Sequence, residues 1–394
     1  MDFRALASDF HTTFSQEAER YFFSPGRVNL IGEHTEYNGA NVLPCAISLG
    51  IYGAISKRTD RLVRLFSKNF SEQGIVQFTL DELDFKPSHG WANYPKGMLS
   101  YLKQSGHRLP CGFDLYVSGN IPVGAGLSSS ASLLMLIGEI VNKLYQLHLS
   151  KIELIKACKE TDQYFIGMKS GMSDPFIVAK GKANHAILLD SHTLSYDYIP
   201  FHLQDYKLVI MDSNKQSEEL VELYDKRRDE CEHALRHLQG AINILSLGDL
   251  NIEQFENFKH LIPTQLLQKR ARHVITENER AFSAVKQLRR GNLTALGDLM
   301  KQSHLSLQND YDATGAELDT LVQGAWNQTG VLGAKMTGAG LGGSAIAIVE
   351  ASQVDQFTEN VNQEYKSKTG LDASFYIATI SDGVRELYLD KVKS

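Results

Sequence analysis

Residues 122–132 read Pro-Val-Gly-Ala-Gly-Leu-Ser-Ser-Ser-Ala-Ser. Before them lies an alternating apolar run, Phe113 to Ile121, and after them a stretch whose polar residues Glu139, Asn142, Lys143 and Gln146 recur at helical spacing. The chain must therefore pass from strand to helix through a Gly/Ser turn. Glycines let the backbone bend with its amides pointing inward, and the helix start adds unpaired N–H groups and a partial positive charge. The serine hydroxyls add donors and oxygen ligands for a metal. Such a turn is a phosphate cradle or, without a ligand, a flexible surface turn. Neither Gly-x-x-x-x-Gly-Lys-Ser/Thr nor the Asp-Phe-Gly and His-Arg-Asp triplets occur, so the common P-loop and the protein kinases are excluded.

Around this turn the pattern reads as α+β. A helix is expected over Leu6 to Tyr21. Strands are expected over Arg27 to Ile31, Leu43 to Ser56, Leu62 to Phe66, Ile75 to Leu80 and Lys207 to Met211, with a hairpin over Ala186 to Phe201. Helical spacing runs over Leu223 to Leu245, Val274 to Arg289, Leu293 to Leu307 and Glu317 to Trp326. A strand Ala345 to Val349, a helix Val354 to Ser367 and a strand Phe375 to Ile380 follow. No internal repeat or low-complexity tract interrupts this order. With 394 residues and about 150 per domain, two interlocked domains dividing near Pro200, 1–200 and 201–394, fit the length.

The 40 basic against 46 acidic residues give a formal charge of -6, which supplies no general attraction for nucleic acid or an anionic membrane. Any anionic ligand must be held locally. The longest apolar stretches, around Ala46 to Ile55 and Ser132 to Val141, fall short of the ~20 residues of a membrane span. Met1-Asp2-Phe3-Arg4 lacks a secretory pattern, so a cytoplasmic location is the expectation; a monomer is expected separately. Cys45, Cys111, Cys158 and Cys231 are widely spaced and read as buried free thiols.

Two further segments carry chemistry. Residues 333–344, Gly-Ala-Lys-Met-Thr-Gly-Ala-Gly-Leu-Gly-Gly-Ser, form a second glycine-dense turn that admits close backbone approach, to a ligand or within a hairpin. Residues 24–38, Ser-Pro-Gly-Arg-Val-Asn-Leu-Ile-Gly-Glu-His-Thr-Glu-Tyr-Asn, gather donors and acceptors suited to a sugar's hydroxyls, or make a solvated charged turn. Asp174, in Ser170-Gly171-Met172-Ser173-Asp174, reads on its own as a turn aspartate.

Together, in this order, the three segments resemble the GHMP small-molecule kinases, and residues 24–38 match the galactokinase signature nearly residue by residue. The resemblance extends from about Phe22 to Ile380 and includes Trp91-Ala92-Asn93-Tyr94, Tyr224-Asp225-Lys226-Arg227-Arg228 and His273 to Arg280. It implies a two-domain fold with an N-terminal domain like ribosomal protein S5 domain 2 and a ferredoxin-like C-terminal domain. It implies ATP-dependent phosphorylation of galactose at its anomeric oxygen, with Asp174 as the proton acceptor and Arg27 beside it. Glu33, His34, Thr35 and Glu36 would meet the sugar, and Tyr224 would close the pocket. Gly124, Ala125, Gly126, Leu127, Ser128, Ser129 and Ser130 would hold the phosphates, with Ser67, Trp91 and Tyr94 around the nucleotide. Mg²⁺ would be bound by Ser130 and Asp162.

Four departures bear on substrate choice. Glu36 stands where the family usually has Asp, and Asp162 where it usually has Glu. Ser173-Asp174-Pro175 replaces Met-Asp-Gln, while Leu341 and Ser344 replace Phe and Cys. Galactose is the first reading. A related sugar (galacturonate, arabinose or N-acetylgalactosamine) is the second, and a sugar and ATP sensor without catalysis the third. The intact Ser128 to Ser132 run, with Arg27 and Asp174 both present, argues against the sensor.

Overall fold

Two β-sheets carry the chain, described in a computed structural model over residues 3–122, 124–168, 171–215 and 220–388. Val123 of the Gly/Ser turn and Ser170 ahead of Asp174 lie outside the described residues. After α1 (Phe3–Phe14), strands β1 (Arg20–Ile31) and β2 (Asn41–Lys57) form a long antiparallel pair with bulges at Pro25/Arg27 and Asn29/Ile31. β3 (Leu62–Ser67) and β4 (Val76–Thr79) lead to α2 (Asn93–Gln104), β5 (Phe113–Gly119) and α3 (Ser129–Tyr145). Then come α4 (Lys151–Glu160), α5 (Ser173–Lys180) and the hairpin β6 (His185–Asp190) and β7 (Tyr196–Pro200).

β8 (Tyr206–Asp212) opens the second half. The helices α6 (Leu220–Gln239), α7 (Ile252–Phe258), α8 (Gln265–Arg289), α9 (Leu293–Ser306) and α10 (Gly315–Trp326) follow. The chain closes with β9 (Val331–Thr337), β10 (Ser344–Glu350), α11 (Val354–Thr369), β11 (Ser374–Ala378) and β12 (Arg385–Leu387). The first sheet runs β12-β1-β2-β5-β3-β4, with β6 and β7 continuing from β2, and the second runs β11-β8-β10-β9. Because β12 pairs with β1, the end of the chain returns to the first sheet and ties the two halves together.

The central strands of the second sheet, β8 and β10, are buried on both faces. Along β8, Leu208 and Ile210 pack into the core under the first sheet, whereas Val209 and Met211 pack against the C-terminal helices. Ile346 and Ile348 in β10 divide from Ala345 and Ala347 in the same way. An uninterrupted apolar run is what such a strand requires. All four cysteines are buried and none forms a disulfide.

The α+β expectation holds, with corrections at the element ends. The first helix stops at Phe14, because Ser15 takes a left-handed conformation (φ 57°), and Tyr21 belongs to β1 rather than to the helix. Val331–Thr337 is a strand, so the second glycine-dense turn is confined to residues 338–343. Within β9, Ala334 and Met336 point into the core of the second half. The helix expected to reach Leu245 ends at Gln239, before Gly240.

A buried polar cluster joins the sheets where the β1–β2 connection meets α8 and β9. Lys335 of β9 donates to the Glu33 carboxylate and, at 2.8 Å, to the Met336 carbonyl; both side chains of the ion pair are wholly buried. Glu277 of α8 accepts from the Gly32 amide at 2.9 Å, the Ser303 hydroxyl at 2.6 Å and Arg280 Nε at 2.6 Å. Burial alone would push the Glu277 carboxyl up, but Arg280, His273 and Lys335 hold it down to about 2. His273 donates from Nε2 to the Glu33 carbonyl at 3.1 Å, and burial pushes its imidazole down to about 4.

Breaking one side of a buried ion pair strands the other charge. Lys335→Met is expected to lower the unfolding free energy by about 3–5 kcal/mol in chemical denaturation, and a loss under about 1 kcal/mol would contradict the pairing. Acid should act on the same cluster. Between its ordinary value of 6.5 and about 4, His273 binds its proton only in the unfolded chain, so stability falls as pH drops through that window. At about pH 5 this single group costs about 2 kcal/mol relative to neutral pH. The slope of stability against pH should flatten in His273→Gln; an unchanged slope would exclude the imidazole as its source.

Candidate active site

Arg27 leaves β1 just past the bulge at Pro25. Its guanidinium forks onto Asp174, Nε to Oδ1 at 2.8 Å and Nη2 to Oδ2 at 2.7 Å, while Nη1 donates to the Gly126 carbonyl at 2.7 Å. Two parallel charge-assisted bonds fix the carboxylate in plane and direction. Asp174 sits in the first turn of α5, not in a free turn, and also accepts from the Ser128 hydroxyl. Ser128 holds a left-handed conformation (φ 63°) at the N-cap of α3, between Gly126 (φ 73°) and the helix. Strand, Gly/Ser turn and α5 thus meet on one carboxylate.

A cavity of about 370 Å³ opens beside this junction, lined by Arg27, His34, Glu36, Ser173, Asp174 and Tyr224 among others. Glu36 begins the 3₁₀ turn 36–38, and its carboxylate accepts from the Ser173 amide at 2.8 Å and from the Ser173 hydroxyl. Burial and neighbouring Asp174 push the Glu36 carboxyl up, against the pull of the Ser173 bonds. Tyr224 reaches in from α6, its ring 5.6 Å from that of His34 and 5.1 Å from that of Tyr37. Burial, with Glu36 and Asp174 nearby, raises its phenol.

His34 lines the cavity with both nitrogens already engaged. Nε2 meets the Ala339 carbonyl at 3.1 Å, so it must carry the proton, and Nδ1 accepts from the Tyr37 hydroxyl at 2.9 Å. Tyr37 in turn accepts from Tyr311 at 2.8 Å, which leaves Cys231 Sγ, 3.3 Å away, as donor to Tyr311. Burial pushes the His34 imidazole down to about 3, with His273 adding to the effect.

Two residues of the motif stand behind the wall instead of on it. Glu33 is turned into the Lys335 cluster by Gly32 (φ 107°), and one of its oxygens, Oε1, has no hydrogen-bond partner. Thr35 is buried, its hydroxyl donating to the carbonyls of Gly32 and Asn41 at 2.8 and 3.0 Å. Its role there is to close the turn.

A second cavity, about 200 Å³, gathers Ser67, Phe70, Trp91, Tyr94, Ser129 and Ser130. Aromatic faces form its walls and the first-turn serines of α3 its end. Gly124 and Gly126 face a narrow crevice against Gly340–Gly343, while Ala125 and Leu127 are buried and anchor the turn. A Cβ at Gly338 would come within 2.8 Å of the Gly126 carbonyl, so the two glycine-dense turns pack backbone to backbone. Asp162 is buried in a π-helical turn, 161–166; burial raises the Tyr94 phenol, and the nearby Asp162 charge adds to it. Tyr94 donates to Met168 Sδ at 3.6 Å, and Met168 also lines the first cavity.

Met168, Phe70 and the Ser173–Glu36 contact were not foreseen as site features. Nothing local to Met168 or Phe70 marks them. Ser173 does carry a signal, since it replaces the family's usual Met beside Asp174. Among the described residues no three His, Cys, Asp or Glu side chains are grouped to hold a metal, and no helix is long and apolar enough to cross a membrane.

Three family models match the chain: the galactokinase galactose-binding signature over residues 8–57, the GHMP kinase N-terminal domain over 93–182 and the GHMP kinase C-terminal domain over 284–367. A galactokinase of Streptococcus thermophilus is 49% identical over 98% of this chain and 100% of its own length. One from Lactiplantibacillus plantarum is 49% identical over 97% and 99%. The crystal structure of Lactococcus lactis galactokinase complexed with galactose superposes with a TM-score of 0.92 at 44% identity, covering 98% of this chain and 99% of that one. A mevalonate kinase at 20% identity shares the fold, with a TM-score of 0.67 over 92% of this chain and 99% of its own. With near-complete coverage in both directions and the sugar-binding signature in place, the chain belongs to the galactokinase family of the GHMP kinases.

Proposed function

We propose that this protein transfers the γ-phosphoryl group of ATP to the anomeric hydroxyl of galactose, giving galactose 1-phosphate and ADP. The observation that carries the reading is the Arg27–Asp174 fork, tied through Ser128 to the Gly/Ser turn and facing a sugar-sized cavity. Asp174 takes the proton of the anomeric hydroxyl as its oxygen forms the new bond to the γ-phosphorus. The bond from that phosphorus to the β-phosphate oxygen breaks, and its electrons leave with ADP. Arg27 keeps the acceptor carboxylate aimed and offers positive charge to the phosphoryl group in transit. A positioned base contributes about 10²–10⁴-fold, so alignment and charge neutralisation must supply the rest.

Glu36 accepts from sugar hydroxyls, Tyr224 covers the ring, and His34, with no free nitrogen, shapes the cavity. Glu33 and Thr35 act from behind by holding the turn. The aromatic cavity takes adenine between Phe70, Trp91 and Tyr94, with Ser67 at its edge. Trp91 Nε1 is a buried donor without a partner, which a purine nitrogen suits. The backbone of residues 124–130 and the N-terminus of α3 receive the phosphates. Ser130 and Asp162 are hard oxygen donors on the nucleotide side, which fits Mg²⁺; when bound, the ion neutralises phosphate charge. The reading is of a monomer in a cytoplasmic setting, and the absence of disulfides among the four thiols is in keeping with that setting.

ADP release with ATP, Mg²⁺ and a panel of galactose, glucose, galacturonate, arabinose and N-acetylgalactosamine tests the assignment. Galactose should turn over best; turnover confined to another sugar would transfer the assignment to that sugar, and binding without turnover on all of them would mark a sensor. Asp174→Asn should bind galactose and ATP within about threefold of the parent while kcat falls about 10²-fold or more. Near-normal kcat in that variant would remove Asp174 as the proton acceptor.

A further inference from the structure

Two of the departures from the family pattern touch each other. Glu36 carries one methylene more than the usual Asp, and Ser173 offers a hydroxyl where Met has none. Glu36 Oε1 accepts from the Ser173 amide at 2.8 Å, and Oε2 accepts from the Ser173 hydroxyl. The backbone wraps the carboxylate closely, since a Cβ at Gly171 would stand 2.0 Å from Oε1. Glu36, Ser173 and Asp174 all line the same cavity.

An ionised carboxylate offers about four acceptor sites. Ser173 takes one on each oxygen and the Met172 backbone takes another, so what remains is left for substrate in a set direction. We infer that Ser173 is a specificity-determining residue that holds the longer Glu36 side chain, so that the hydroxyl acceptor stands at a fixed place beside Asp174. An aspartate at 36 stops one carbon short of the Ser173 hydroxyl. A methionine at 173 keeps the amide donor but loses the hydroxyl and fills its space. Each change alone leaves a mismatched pair, and both together restore a matched one.

The inference rests on the proposed galactose reading, and a double-mutant cycle separates the two. Glu36→Asp, Ser173→Met, their combination and Ser173→Ala are compared with the parent for kcat, KM for each substrate, galactose binding by calorimetry and thermal midpoint. Each single exchange at 36 or 173 should cost about 10-fold or more in kcat/KM for galactose, and the combination should return to within about threefold of the parent. Ser173→Ala should raise the KM for galactose about 10-fold with the KM for ATP within twofold, and should shrink the penalty for deoxygalactoses relative to galactose. A merely structural role would shift both KM values and leave that selectivity ratio unchanged. Losses that multiply in the double variant overturn the inference, as does an unchanged selectivity in Ser173→Ala. A parent that binds galactose without turning it over defeats the functional reading instead, and the cycle is then read on binding. Failure to bind any sugar of the panel overturns both.

Discussion

The guanidinium of Arg27 is the point on which the site is built. It binds Asp174 with two of its nitrogens and the Gly126 carbonyl with a third, and these partners lie 147 and 99 residues away in the chain. A planar fork suits this task because its donors hold fixed angles to one another, which a lysine ammonium cannot reproduce. Strand β1 supplies the rigidity beneath it, and the bulge at Pro25 re-aims the side chain. The proposed acceptor of a proton and the proposed holder of phosphate are thereby spaced by one side chain.

The sugar turn has a different support. Its floor is the buried cluster of Glu33, Lys335, Glu277, Arg280 and His273, contributed by β9, α8 and the β1–β2 connection. Desolvating so many charges is expensive, and they persist because each is matched by a partner of opposite sign or a backbone group. The arrangement gives geometry in return. Gly32 has its amide held by Glu277 and its carbonyl by Thr35, so the turn that presents His34 and Glu36 has little freedom to shift.

Local signals made much of this legible. The strand-to-helix turn at 122–132 follows from glycine, serine and a change of period within a few residues; α9 to α11 follow from spacing alone, as does α8 from Val274 onward, whereas its first turns from Gln265 do not. What stayed hidden depends on distant contacts. α2 contains Pro95 and Gly97, which argue against a helix, yet the proline lies in the first turn, where its missing N–H is no loss, and the glycine admits Thr161 and Phe165 at close range. α5 was hidden in the same way by Pro175. Glu33 looked like a sugar ligand because it sits among Gly32, His34 and Glu36; only the positive φ at Gly32 and a lysine 302 residues away send it inward. The motif identifies the neighbourhood, but not which side of the wall each side chain takes.

The row from Cys231 through Tyr311 and Tyr37 to His34 has a single sense, each hydrogen directed toward the imidazole and the last one ending on the Ala339 carbonyl. Placing a further hydrogen on the ring would require Tyr37 and both groups behind it to reorient together, inside a packed interior. The rim of the cavity formed by His34 therefore stays electrically neutral, and a neutral sugar would meet an unchanging surface on that side.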